Sequence, residues 1–245
     1  MIFELQRGNN MKITTVLFDL DGTLLPMDND VFTKGYFGLI VKKLAPYGYG
    51  KDELVSGIWK ATAAMVANNG SCSNCDVFWK AFAGALGERV YDDRAVFDDF
   101  YLNEFNQAKA YCGSNAAAAD IVGTVRRRGL RTALASNPIF PMTAQKARLE
   151  WAGIDPDAFE LITSYENSSS CKPNPEYYAE IARRLGVSPE ECLMVGNDVY
   201  EDTAAEKAGM SVFLLTDNLI NRDNKDISGY HNGSFGALKN FLMQA

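Results

Sequence analysis

The chain has 245 residues, 47% of them hydrophobic and 22% charged, which is enough to bury a full core and excludes a disordered, fibrous or disulfide-stapled miniprotein. Its 24 Lys+Arg stand against 31 Asp+Glu, and the net charge of −7 repels polyanions and removes the basic footprint of a nucleic-acid binder. No apolar run approaches the ~18 residues needed to span a bilayer, and MIFELQRGNN lacks the basic start and apolar stretch of a signal peptide, so a cytoplasmic location with no membrane partner is expected.

Residues 1–10 carry no period and read as an N-terminal extension. The run from Ile13 to Phe18 is rich in β-branched residues and stops at DLDGTLLP, where Asp, Gly and Pro end strand pairing. The paired acids Asp19 and Asp21 therefore sit at the tip of a buried strand, with Gly22 and Thr23 shaping the turn. From about Asp30 to Lys109 the apolar period becomes helical, through Phe32, Tyr36, Ile40 and Leu44 and onward to Phe105, which predicts a bundle of about four helices. Asp28 and Asp30 read as helix-start acids. Cys72 and Cys75 form a CxxC with no second pair, so reduced thiols at a loop or helix start are expected rather than zinc.

Beyond Tyr111 strands and helices alternate. Helices are predicted over Ala116–Arg128, Met142–Trp151, Pro175–Leu185 and Tyr200–Ala208. Strands are predicted over Leu130–Ser136, Phe159–Thr163, Cys192–Val195 and Met210–Leu215. The Arg126–Arg128 run reads as a cationic last helical turn before a Gly129 cap, Asn174 with Pro175 as a helix start, and Ser188 with Glu191 as a capping box. A last helix follows Phe235. The single histidine, His231, lies in a Gly/Asn/Ser-rich stretch and makes a histidine-based nucleophilic mechanism unattractive.

The expected fold is thus α/β, a doubly wound parallel sheet split after its first strand by a helical insertion. The core comprises residues 11–25 and 111–245, and the insertion residues 26–110. In such sheets ligands bind beyond the carboxyl ends of the strands. Those ends carry Asp19 and Asp21, then Ser136 and Asn137, then Lys172, then Asn197, Asp198 and Asp202. Several carboxylates in one cleft call for a cation, and an all-oxygen set without imidazole favours Mg2+. A hydroxyl and a lysine beside it suit the oxygens of a phosphoryl group, so a small phosphorylated metabolite is the expected partner.

Four segments, FDLDGT at Phe18–Thr23, ASN at Ala135–Asn137, Lys172 in CKPNP, and VGNDVYEDTAAEKAGM at Val195–Met210, resemble the motifs of the haloacid dehalogenase superfamily. The resemblance implies a Rossmann-like core, Asp19 as nucleophile and Asp21 as general acid/base with its carbonyl on the metal. It further implies Ser136, Asn137 and Lys172 around phosphate, Asp198 as metal ligand, and Asp202 as a second ligand or outer acid. Glu201 is expected to be an exposed first-turn acid, and Asn137 is read equally as a helix cap. The insertion resembles the cap of many members, hinged near Leu25–Asp30 and Ala110–Asn115. The activity implied is a magnesium-dependent phosphatase using an aspartyl-phosphate. The alternatives are a sugar phosphomutase of the same superfamily and a non-catalytic binding protein on the same fold. Half of the aromatic side chains fall in residues 26–110, so some of those rings should line the cleft.

Overall fold

The computed structural model describes residues 13–244, and the expected extension at residues 1–10 lies outside them. Six strands form one sheet: β1 Thr15–Phe18, β2 Arg131–Leu134, β3 Leu161–Ile162, β4 Cys192–Gly196, β5 Ser211–Leu215 and β6 His231–Gly233. Their order is β3-β2-β1-β4-β5-β6, and every pairing is parallel. β1 is central and fully buried, because Val16 and Phe18 pack on one face and Leu17 on the other. Phe18 is in register with both Leu134 and Val195, so β1, β2 and β4 end side by side at the point where the strand order reverses.

β6 has no strand signature; it is a polar His-Asn-Gly edge that pairs with β5 alone. β3 is shorter than the predicted Phe159–Thr163, since it too pairs on one side only. The predicted helix at Tyr200–Ala208 is instead a 3-10 helix over Asp202–Ala208, its approach reshaped by Asp198, whose Oδ1 accepts from the N–H groups of Tyr200 and Glu201. The other core elements fall within a residue or two of expectation.

The insertion contains α1 Asn29–Leu44, α2 Lys51–Val66, α3 Asn74–Leu86, a single turn α4 Arg89–Asp92, α5 Arg94–Leu102 and a 3-10 segment Glu104–Tyr111. Asp28 caps α1 by accepting from the N–H groups of Asp30 and Val31. Cys72 is exposed before α3 and Cys75 is buried within it, both as free thiols. The two connections run side by side: Met27 bridges Cys112, and the Gly113 N–H donates to the Pro26 carbonyl at 2.7 Å.

A second attachment is made at the start of α3. The fully buried Asn74 amide nitrogen donates to the Pro138 and Ser170 carbonyls at 3.2 and 3.3 Å, and the backbone N–H of Cys75 donates to the Tyr165 carbonyl at 2.7 Å. The cap is therefore docked over the strand ends. The core helices are α6 Ala116–Arg127, α7 Met142–Trp151, α8 Pro175–Leu185 and α9 Phe235–Gln244. α8 covers the Leu17 face, whereas residues of α6, α7 and α9 join the cluster on the Val16 and Phe18 face. Asn174 caps α8, Glu191 accepts from the Ser188 N–H, and Gly129 ends α6 at φ 74°, as the local signals predict.

Candidate active site

The end of β1 delivers Asp19, whose N–H donates to the Val195 carbonyl at 2.9 Å, fixing it between β2 and β4. Lys172 Nζ donates to Asp19 Oδ1 at 2.8 Å, and the Thr23 hydroxyl lies 2.9 Å from both Asp19 Oδ2 and Asn197 Oδ1. Thr23 thus does more than shape the turn. Gly22, at φ 81°, is needed there because a Cβ would collide with the Asn197 amide.

Lys172 is fully buried between two acids, the second being Asp202 at 2.6 Å. Burial works against its charge, yet Asp19 and Asp202 outweigh that cost and hold its pKa well above the ordinary lysine value. Asp202 spends its other oxygen on the Asp198 N–H at 2.9 Å, so both carboxylate oxygens are taken within the protein. Asp198 itself faces the cavity, with Arg222 3.9 Å from its Oδ2. Ser136 and Asn137 follow β2. The Ser136 carbonyl accepts from the hydroxyls of Thr163 and Tyr177, each at 2.8 Å, and the α7 N-cap is Pro141 rather than Asn137. Asn137 instead lines the cavity, its amide nitrogen 3.3 Å from Glu201 Oε1 and its buried Oδ1 without a partner. All the predicted site residues converge on one pocket except Lys172, which stands just beneath it through Asp19.

Two residues depart from the sequence reading. Glu201 is not an exposed first-turn acid: it is half-buried in the pocket, and burial, reinforced by Asp202, Asp19 and Asp198 and opposed by Lys172, pushes it up to about 7. Arg148 of α7 is fully buried and its Nη1 lies 2.5 Å from Asp21 Oδ2. A guanidinium in that position escapes composition-based reading, although Arg148 interrupts an apolar stripe of Ala144 and Trp151 at helical spacing. Burial raises the Asp21 carboxyl above its ordinary value, and Arg148 opposes the rise.

Above these carboxyls lies a cavity of about 270 Å³ between cap and core. Its wall carries a continuous line of rings. The Arg148 guanidinium sits 4.5 Å over Phe140; Tyr36 meets Phe140 at 5.5 Å, Phe37 meets Tyr36 at 5.2 Å, and Trp59 meets Phe37 at 5.4 Å. Tyr36 and Tyr101 share a 2.8 Å hydroxyl hydrogen bond, and burial pushes Tyr36 up to about 12, so this pair is uncharged at neutral pH. Cap aromatics therefore serve both as cap core and as cavity wall.

The family model described as haloacid dehalogenase-like hydrolase matches residues 13–209. The chain belongs to this family. Pyrophosphatase PpaX of Halalkalibacterium halodurans is 25% identical over 206 residues, covering 84% of each chain, and a phosphoglycolate phosphatase of Nitrosospira multiformis is 26% identical over 210 residues with the same coverage. The chain is also 26% identical over 224 residues to the chloroplastic Protein SUPPRESSOR OF QUENCHING 1 of Arabidopsis thaliana, of which it spans only 19%; it spans 38% of a putative phosphatase YhcW from Bacillus subtilis. Among solved structures, a predicted phosphoglycolate phosphatase from Haemophilus somnus matches with TM-score 0.58 at 17% identity over 96% of this chain and all of that one. The L-2-haloacid dehalogenase of Xanthobacter autotrophicus matches with TM-score 0.55 at 19% identity, covering 94% of this chain and 98% of that one. These likenesses establish the haloacid dehalogenase fold for the described residues, none of whose helices is long and apolar enough to cross a membrane.

Proposed function

We propose that this family member is a phosphatase of small phosphomonoesters, working through an aspartyl-phosphate on Asp19. The observation that carries the reading is the pair of unlike carboxyls on one turn. Asp19 is held by a buried ammonium and a hydroxyl, whereas Asp21 opens into the same cavity with its pKa raised by burial. Two carboxyls whose surroundings differ in this way suit the roles of nucleophile and acid.

An Asp19 oxygen attacks phosphorus as the bond from phosphorus to the leaving oxygen breaks, and Asp21 gives its proton to that oxygen. Asp21 then takes a proton from the water that attacks the acyl phosphate, which releases inorganic phosphate and restores both carboxyls. Lys172 supplies positive charge beside the transferring group, and Ser136 and Asn137 offer polar groups to its oxygens. Arg148 fixes the orientation of Asp21 and keeps it able to regain its ionised form.

The donor set fits a hard cation. Asp19 and Asp198 face the cavity, all candidate donors are oxygens, and among the described residues no three His, Cys, Asp or Glu side chains form a ready-made cluster. Two carboxylates with a backbone carbonyl and water suit Mg2+, which rarely relies on an all-protein cage. Asp19, Asp198 and the Asp21 carbonyl would hold it, and when bound it neutralises and orients the phosphoryl oxygens. We assign Asp202 to holding Lys172 rather than the metal, because its carboxylate is fully buried against the Lys172 ammonium and the Asp198 N–H, whereas Asp19 and Asp198 keep part of their surface open to the cavity.

The test is a panel of phosphorylated metabolites and aryl phosphates with released phosphate as the readout. Release that depends on magnesium and stops with a chelator is expected. No release from any member with magnesium present would overturn the reading.

A further inference from the structure

We infer that the leaving group of the substrate is a neutral, apolar moiety about the size of one ring, held by the aromatic wall between Phe140 and Trp59. This rests on the phosphatase reading for the position of the phosphoryl group, and on the cavity alone for the nature of what hangs from it.

A cavity of about 270 Å³, set against the roughly 150 Å³ that accommodates benzene, has room for a phosphoryl group and one six-membered ring. A longer group would have to project past the exposed Trp59 into solvent.

The chemistry of the wall is equally restrictive. The cap contributes no Lys, Arg or His to the lining; its one charged residue there is Asp98. A leaving group bearing a carboxylate or a second phosphate would enter a space walled by rings and a carboxylate, with no cation from the cap to pair with, and would give up its hydration uncompensated. A sugar's hydroxyls could reach Asn29, Thr33, Thr62 and Asp98 of the cap, but along the line from Phe140 to Trp59 the one hydroxyl, that of Tyr36, is already bonded to Tyr101. The exception on the core side is Arg222, which is 70% exposed and already leans toward Asp198. A flat apolar group, by contrast, stacks along Tyr36 and Phe37 and reaches Trp59, which is 53% exposed at the outer end of the line.

Binding of stable phosphonates to the magnesium-loaded protein, followed by calorimetry and by tryptophan fluorescence, tests this without turnover. Benzylphosphonate is expected to bind roughly 10- to 100-fold more tightly than methylphosphonate, the gain from burying one aromatic side-chain equivalent. Phosphonoacetate and methylenediphosphonate should show no gain over methylphosphonate. Trp59→Ala, at an exposed position whose loss spares the cap core, should narrow the benzyl-to-methyl ratio, and Phe37→Ala should narrow it further. Tightest binding by phosphonoacetate or methylenediphosphonate would overturn the inference, as would an unchanged ratio in both variants. A benzyl preference without phosphate release from the substrate panel would sustain the pocket assignment and sink the catalytic one. Phosphate release with an anionic preference would do the reverse, and binding by no phosphonate would overturn both.

Discussion

Asp21 and Glu201 are two acids within the same pocket whose pKa values are both raised, but the consequences differ. Asp21 has a strong partner in Arg148, so its Asn variant keeps the volume and loses the proton. Asp21→Asn should slow formation of the phospho-enzyme by ~10² to 10⁴ for an alkyl phosphate and by far less for an aryl phosphate with a good leaving group. Equal losses for both, in pre-steady-state measurement of that step, would remove Asp21 from the acid role. Glu201 provides a stability test. Its folded value of about 7 lies above the ordinary 4.5, so the folded state binds that proton more tightly and stability declines as pH rises from about 4.5 to 7. Glu201→Gln removes the decline. In chelator, the variant should match wild type near pH 4 and exceed it near pH 8 by roughly 1–3 kcal/mol; parallel melting curves across that range would contradict the burial assigned to Glu201.

At the scale of elements, the site depends on how tightly β4 approaches the short helix after it. A Cβ on Gly196 would overlap the Asp202 carboxylate, which cannot move without releasing Lys172 and the Asp198 N–H. Gly196→Ala should therefore cost about 2–4 kcal/mol of stability and most of the activity. Gly38→Ala on the exposed face of α1, with nothing near its Cβ, should be neutral or stabilise by up to ~1 kcal/mol. Thermal unfolding of the two variants side by side separates close approach from helix propensity. The same contrast explains what the sequence could convey. β1 and β4 are legible because they are buried on both faces and β-branched or apolar throughout, and α8 because Asn174 and Pro175 mark its start. β6 is not legible, because its three residues owe their pairing to β5 and carry no pattern of their own. Gly196 reads as a strand end in sequence; only the fold shows the carboxylate pressed against it.

At the scale of the molecule, the order of the motifs was enough to place Asp19, Asp198, Ser136 and Lys172 around one point, since parallel strands bring their carboxyl ends together. What it could not convey was contributed by packing across distant elements: Arg148 against Asp21, Glu201 turned inward, and core rings such as Phe140 and Tyr165 joining the cap's wall. The cap, tied through the Pro26–Gly113 pairing and through Asn74, leaves a sheltered cleft that opens at its Trp59 end rather than an exposed face. A folded phosphoprotein should accordingly be dephosphorylated far more slowly than the best small phosphomonoester, and comparable rates in one assay would refute that shelter. The phosphatase chemistry proposed here depends on the covalent step at Asp19. Rapid acid quench of the magnesium-loaded protein during a single turnover of a phosphorus-labelled aryl phosphate, followed by peptide mapping, examines it directly. Label is expected on the peptide that carries Asp19, base-labile as an acyl phosphate is, and none in Asp19→Asn. Full release of phosphate with no label on that peptide at any quench time, or undiminished turnover by Asp19→Asn, would contradict it.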